Sequence, residues 1–79
     1  MLDAGNDLSA ARAHLLRAIS LDPEYADALY NLANVNFREG AYGEAMGHWR
    51  HYLERDPSSR WGDLAREGLA VCRRHLAPA

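Results

Sequence analysis

The stretch LDPEYADALYNLANVNFREGAYGEAMGHWRHYLERDPSS, residues 21–59, opens and closes near an Asp-Pro pair, and the distance between the two pairs decides how the chain is read. Pro23 and Pro57 stand 34 residues apart, and a run of the same helical spacing precedes each. Before Pro23 the run is Leu8, Ala11, Leu15, Ala18 and Ile19; before Pro57 it is Tyr42, Ala45, Trp49, Tyr52 and Leu53. Apolar residues at i, i+3 and i+7 mark one face of an α-helix, so these are two copies of one amphipathic helix. A fixed period of this size is the mark of a repeat architecture.

Between the copies lies a helix of a second kind. Leu29, Leu32, Ala33 and Asn36 fall on one stripe of a helix predicted from about Glu24 to Glu39. Gly40 sits where that helix should stop, because glycine adopts the left-handed conformation of a helix end without strain. Pro57 terminates the next helix by removing an N–H and crowding the preceding turn. Beyond it, Trp61, Leu64, Ala65, Gly68, Leu69, Cys72 and Leu76 predict one more helical stripe, with Arg73, Arg74 and His75 complementing its C-terminal dipole. No segment has strand character. The expected fold is all-α, four helices joined by short turns.

The totals agree with a small module. The chain has 79 residues and a net charge of −2, with no electrostatic footprint for nucleic acid. Cys72 is the lone cysteine, which rules out an internal disulfide and suits a reducing compartment. No run approaches the ~20 apolar residues of a membrane span, and the first residues, MLDAGND, lack the features of a signal peptide. A soluble, cytoplasmic protein is expected, with a signal upstream of a truncated start as the one reservation.

The residues resemble the tetratricopeptide repeat, whose 34-residue unit is a helix–turn–helix. Ala26 to Ser59 is similar to one complete unit: Leu29 stands at the family's Trp position, Leu32 and Ala33 at its Leu-Gly pair, Ala45 and Trp49 at its A-x3-F element, and Pro57 closes the unit. Gly40 and Tyr42 also match. Asn36 departs from the usual Tyr and Tyr52 from the usual Ala, which suggests that bulk lost from the first helix is returned by the second. The resemblance implies a single domain over 1–79: residues 4–25 as the second helix of a partial repeat, 26–59 as a complete repeat and 60–77 as a capping helix. About one and a half repeats plus a cap would be the C-terminal end of a longer array. Similar ends occur in bacterial regulators, secretion factors and assembly proteins.

In this family the first helices line a concave, ligand-facing surface. The resemblance therefore implies a protein- or peptide-binding face made by Asp27, Tyr30, Asn31, Asn34, Phe37 and Arg38. Tyr30, Asn34, Phe37 and Arg38 independently fall on a stripe distinct from Leu29, Leu32 and Ala33. An asparagine amide both donates to and accepts from a peptide backbone, and arginine can hold a carboxylate. As bland alternatives, the asparagines follow the repeat consensus with or without a ligand, and Asp27 opposes Arg38.

Other constellations are weaker. His48 and His51 lie at i, i+3, but a catalytic zinc site needs a third protein ligand; they read as polar groups on the convex face. Cys72 and His75 share the same spacing, yet Cys72 lies on an apolar stripe and reads as a small hydrophobe. His14 reads as solvated. No catalytic residues, metal or cofactor are expected, and no enzyme activity. The expected function is a scaffold that binds a protein or peptide partner, with no nucleic-acid or membrane partner. The rival is an oligomerisation segment that self-associates through Leu8, Leu15 and Ile19, because a hairpin of this kind cannot bury its apolar face alone.

Overall fold

A computed structural model describes residues 4–77 and the side chains of residues 8–77. Residues 1–3, 78 and 79 of the expected 1–79 unit lie outside this range. The four helices are α1 (Ala4–Leu21), α2 (Ala26–Arg38), α3 (Tyr42–Arg55) and α4 (Arg60–Leu76), and no strand occurs among the described residues. This is the expected all-α helical-repeat architecture.

Each turn follows from its local chemistry. At Asp22–Pro23 the Asp22 side chain accepts a hydrogen bond from the Glu24 N–H at 3.2 Å, and the Tyr25 N–H donates to the Asp22 carbonyl at 3.0 Å. This is an Asx-type turn, the structure that Asp before Pro favours. Gly40 adopts φ 80°, the left-handed value that ends α2, while the Ala41 N–H reaches back to the Asn36 carbonyl at 2.8 Å. Ser59 caps α4 by accepting from the Gly62 N–H at 3.2 Å.

The core lies among α2, α3 and α4. Leu29 and Ala33 of α2 meet Ala45, Met46, Trp49 and Tyr52 of α3, and Ala65, Leu69 and Cys72 of α4. Small residues set the approach: Ala33, Ala45 and Ala65 are fully buried, which lets the large side chains interdigitate. Gly68 is the tightest point. A Cβ there would stand 2.5 Å from the Trp49 ring, so α4 can lie against the indole only because position 68 has no side chain.

Three expectations are corrected here. The buried face of α4 is Gly62, Ala65, Leu69 and Cys72, whereas Trp61, Leu64 and Leu76 of the expected inner stripe are exposed. The smaller residues face inward because α4 packs close, and its bulky ones are turned out to flank α2 or solvent. Nor does Tyr52 return the bulk missing at Asn36. Tyr52 lies beside Tyr30, with ring centroids 5.3 Å apart, six residues and roughly 9 Å along α2 from Asn36. The neighbour of Asn36 is His48, whose Nδ1 is 2.9 Å from the Asn36 Oδ1. An amide oxygen only accepts, so the imidazole donates from Nδ1 and the buried amide is satisfied across the α2–α3 contact. His48 is half-buried and holds two helices together, rather than standing free on the convex face.

α1 is held differently. Of its described side chains, Leu8, Ala11, Leu15, Ala18 and Ile19 are partly covered and none is fully buried. Among those described side chains only Ile19 packs against the central cluster. An ion pair between Arg12 and Glu39 ties α1 to the end of α2, but it is exposed and of the kind worth no more than about 1 kcal/mol.

Candidate functional site

α2 packs between α1 and α3, and the two sides of its outer surface lead to different places. Asp27, Tyr30 and Asn31, in its first two turns, line a cleft of about 300 Å³ with Tyr52 of α3 and Trp61 of α4. Its walls are aromatic. Tyr30 is 5.3 Å from Tyr52 and meets Trp61 edge-on at 5.4 Å. Trp61 remains 50% exposed and Leu64 extends the apolar surface along α4.

Tyr52 links this cleft to a polar group beyond its lining. The Tyr52 hydroxyl donates to Asp56 Oδ2 at 2.6 Å, and the Ser59 hydroxyl donates to the same oxygen at 2.6 Å. These bonds, from Ser59 first and Tyr52 second, hold the Asp56 carboxyl below its usual range. Burial pushes the Tyr52 phenol up, reinforced by its bond to Asp56 and by the negative charge of Asp27. Both groups keep their ordinary charge states at neutral pH, so Asp56 is a carboxylate and Tyr52 a neutral donor.

On the other side, Asn31, Asn34, Val35 and Arg38 face Ala11, His14 and Leu15 of α1 across a wider groove of about 670 Å³. Its polar groups are amides, an imidazole and a guanidinium. Asp27 and Arg38 therefore do not oppose each other: they lie eleven residues and roughly 17 Å apart, bordering separate concavities. Phe37 belongs to neither. It packs against Tyr42 at 5.4 Å, Trp49 at 5.9 Å and His75 at 6.3 Å, where the end of α4 meets the α2–α3 turn.

Comparison with protein families finds the TPR repeat over residues 4–40, which is α1, α2 and the turn to Gly40. Residues 4–40 are similar to a tetratricopeptide repeat. No curated protein matches it significantly. Tetratricopeptide repeats mediate protein–protein interaction or scaffolding, and domains built from them bind protein partners. The matched segment includes the whole of α2, so every residue of the implied ligand-facing set lies inside it.

The remaining candidates take structural places in the fold. Cys72 is fully buried on the inner face of α4, and burial pushes its thiol up, the reverse of what a nucleophile needs. His75 stacks on Tyr42, with ring centroids 4.2 Å apart and planes 5° from parallel. Among the described residues no three His, Cys, Asp or Glu side chains are grouped to hold a metal ion, and no helix is long and apolar enough to cross a membrane. Leu8, Leu15 and Ile19 are half-covered on the α2-facing side of α1, while Leu16 and Leu21 are its exposed large apolar residues.

Sequence reading missed Tyr52 and Trp61 as members of the α2–α4 cleft. Trp61 carried a signal, since Gly62 beside it and Ala65 four residues on are the small residues of a close-packed face. A bulky neighbour one position before Gly62 is turned about 100° away from it.

Proposed function

We propose that this chain is a protein-interaction module, not an enzyme, and that it takes a peptide or protein segment along the outer surface of α2. The contact set is Asp27, Tyr30, Asn31, Asn34 and Arg38, with Phe37 buttressing the surface and Trp61 and Leu64 of α4 extending it. The observation that carries the reading is the half-exposed Trp61 beside Tyr30, which leaves an aromatic cleft open next to the amides of α2. Aromatic side chains supply contact area at low entropic cost, and amides supply adaptable hydrogen bonds. The repeat organisation proposed with it is 4–25 as a partial repeat, 26–59 as a complete repeat and 60–77 as a cap. The exposed charges of α4, Asp63, Arg66, Glu67, Arg73 and Arg74, support the last assignment. The lone Cys72 fits a cytoplasmic setting.

Peptide selection from a random library tests the reading. Enriched peptides should lose binding to Asn34→Ala and Trp61→Ala chains whose helicity is unchanged; binding indifferent to both substitutions sinks it.

Self-association is the second reading, favoured by α1. Leu16 is 48% and Leu21 80% exposed, and no described side chain of this helix is fully buried. A second copy laid along α1 would remove this apolar surface from water, worth roughly 25 cal/mol per Å². Concentration-dependent sedimentation that Leu16→Glu or Leu21→Glu abolishes with helicity unchanged would support it, and a helical monomer at micromolar concentration would exclude it.

A further inference from the structure

We infer that the cleft between α2 and α4 is selective for a cation, and that its occupant is an arginine side chain presented by a partner protein. The inference rests on the reading of this surface as a contact face and adds the chemistry of what enters it.

Three observations converge. The cleft is walled by Tyr30, Tyr52 and Trp61, with Tyr30 at the centre, 5.3 Å from one ring and 5.4 Å from the other. A cation within about 6 Å of such a ring is attracted by its negative face, and here the half-buried Tyr30 and the exposed Trp61 offer ring surface to one, with the buried Tyr52 behind them. Next, the carboxylate that lines the cleft is negative. Asp27 is one of its lining residues, and the Asp56 carboxylate lies directly behind Tyr52, bonded to its hydroxyl at 2.6 Å. The Tyr52 hydroxyl points its proton at Asp56, so the hydroxyl offers its oxygen lone pairs, not a donor, to a ligand. Finally, a guanidinium already visits this surface: that of Arg60 lies 5.9 Å from the centre of the Trp61 ring.

Arginine fits these features better than lysine. Its flat guanidinium stacks on an aromatic face and presents a fork of N–H donors to a carboxylate, whereas an ammonium is a compact point charge that gives up its hydration less readily. The carboxylate available for that fork is Asp27, since one oxygen of Asp56 is already occupied by two hydroxyls. An acidic segment is excluded from the same cleft by repulsion from Asp27 and Asp56. Arg60 plays a double part: it shows that the ring accepts a guanidinium, and it competes with one arriving from outside.

The test uses the full chain and two probes. In the first, blocked arginine, blocked lysine, blocked citrulline and blocked glutamate are titrated while the Trp61 indole N–H is followed by NMR. Blocked arginine should shift it saturably, several-fold more tightly than lysine. Citrulline, which keeps the shape and loses the charge, and glutamate should not saturate. Asp27→Asn and Trp61→Ala should each weaken arginine binding at least about five-fold with the circular dichroism unchanged, and Arg60→Ala should strengthen it. Equal binding of citrulline and arginine, or no saturable shift with arginine, overturns the inference.

The second probe is the random peptide library. Enrichment of arginine at one peptide position, lost on Asp27→Asn, supports the cation site. Peptides that need Trp61 but show no basic preference leave the contact face standing and overturn only the cation. A library that enriches nothing overturns both.

Discussion

α2 separates two regions that differ in how they are packed. Towards α3 and α4 it presents Leu29 and Ala33 to a continuous buried cluster that includes Trp49, Tyr52, Ala65, Leu69 and Cys72. Ala28, Leu32 and Val35 are buried outside that cluster, and Val35 borders the open groove against α1. The partner helix on that side contributes no fully buried described side chain. One helix thus joins a region of interior-like packing to one held by a half-covered stripe. The difference teaches that periodicity alone does not measure cohesion: α1 and α3 carry the same apolar spacing 34 residues apart, but α3 is sandwiched by two helices and α1 touches one.

The strongest attempt to break the contrast is Trp49→Ala. Trp49 is the largest side chain of the central cluster, and removing a buried aromatic costs about 3–5 kcal/mol. A single core of this size supplies only about that much, so thermal melting followed by circular dichroism should find the chain largely unfolded at 25 °C. A variant that keeps its helicity and a cooperative melt would mean that α3 is less central than its burial indicates.

Gly68→Ala comes next. The added methyl meets the Trp49 ring well inside contact distance, and overpacking of this kind costs about 1–3 kcal/mol although alanine is the better helix former. The melting temperature should fall. A rise would show that α4 stands off from Trp49 in solution.

Leu15→Ala, on α1, should cost only about 1 kcal/mol, because its side chain is half-covered and the groove beside it is already open. Amide exchange sharpens the point. α1 should exchange ahead of α2–α4, with the mutation accelerating α1 selectively. Uniform protection across all four helices would erase the distinction.

The smallest effect concerns His48, and its sign can be worked out. Burial holds its imidazole below the usual 6.5; the Glu44 backbone and carboxylate pull the other way, and His51 adds to the lowering. The unfolded chain therefore takes up a proton at a higher pH than the folded one. Stability is flat above about 6.5 and declines as pH falls through that value towards the lowered folded one. His48→Gln should remove part of this decline, read as the difference between the two chains' denaturant midpoints at pH 5 and pH 8. Identical differences at the two pH values would contradict the coupling.

Much of this was legible in residues 21–59. The Asp-Pro spacing placed the turns, and the stripe Leu29, Leu32, Ala33 and Asn36 is buried as its period requires. Helix limits came within a few residues, since Gly40 and the two prolines act through local backbone geometry. The contact surface was legible only in part. Tyr30, Asn34, Phe37 and Arg38 share a stripe, but neighbours pull them apart: Tyr30 to the α4 cleft, Phe37 into the cluster with Tyr42 and His75, and Asn34 and Arg38 to the α1 groove.

What the sequence determined by itself was the number of helices, where they turn and which residues have the spacing to be inside. Those properties depend on propensity and on a period of 3.6, both local to the chain. Tertiary structure alone decided that Asn36 is answered by His48, that Gly68 seats Trp49 and that Trp61 meets Tyr30 edge-on. Each of these depends on the distance and rotation between helices, which no single helix encodes.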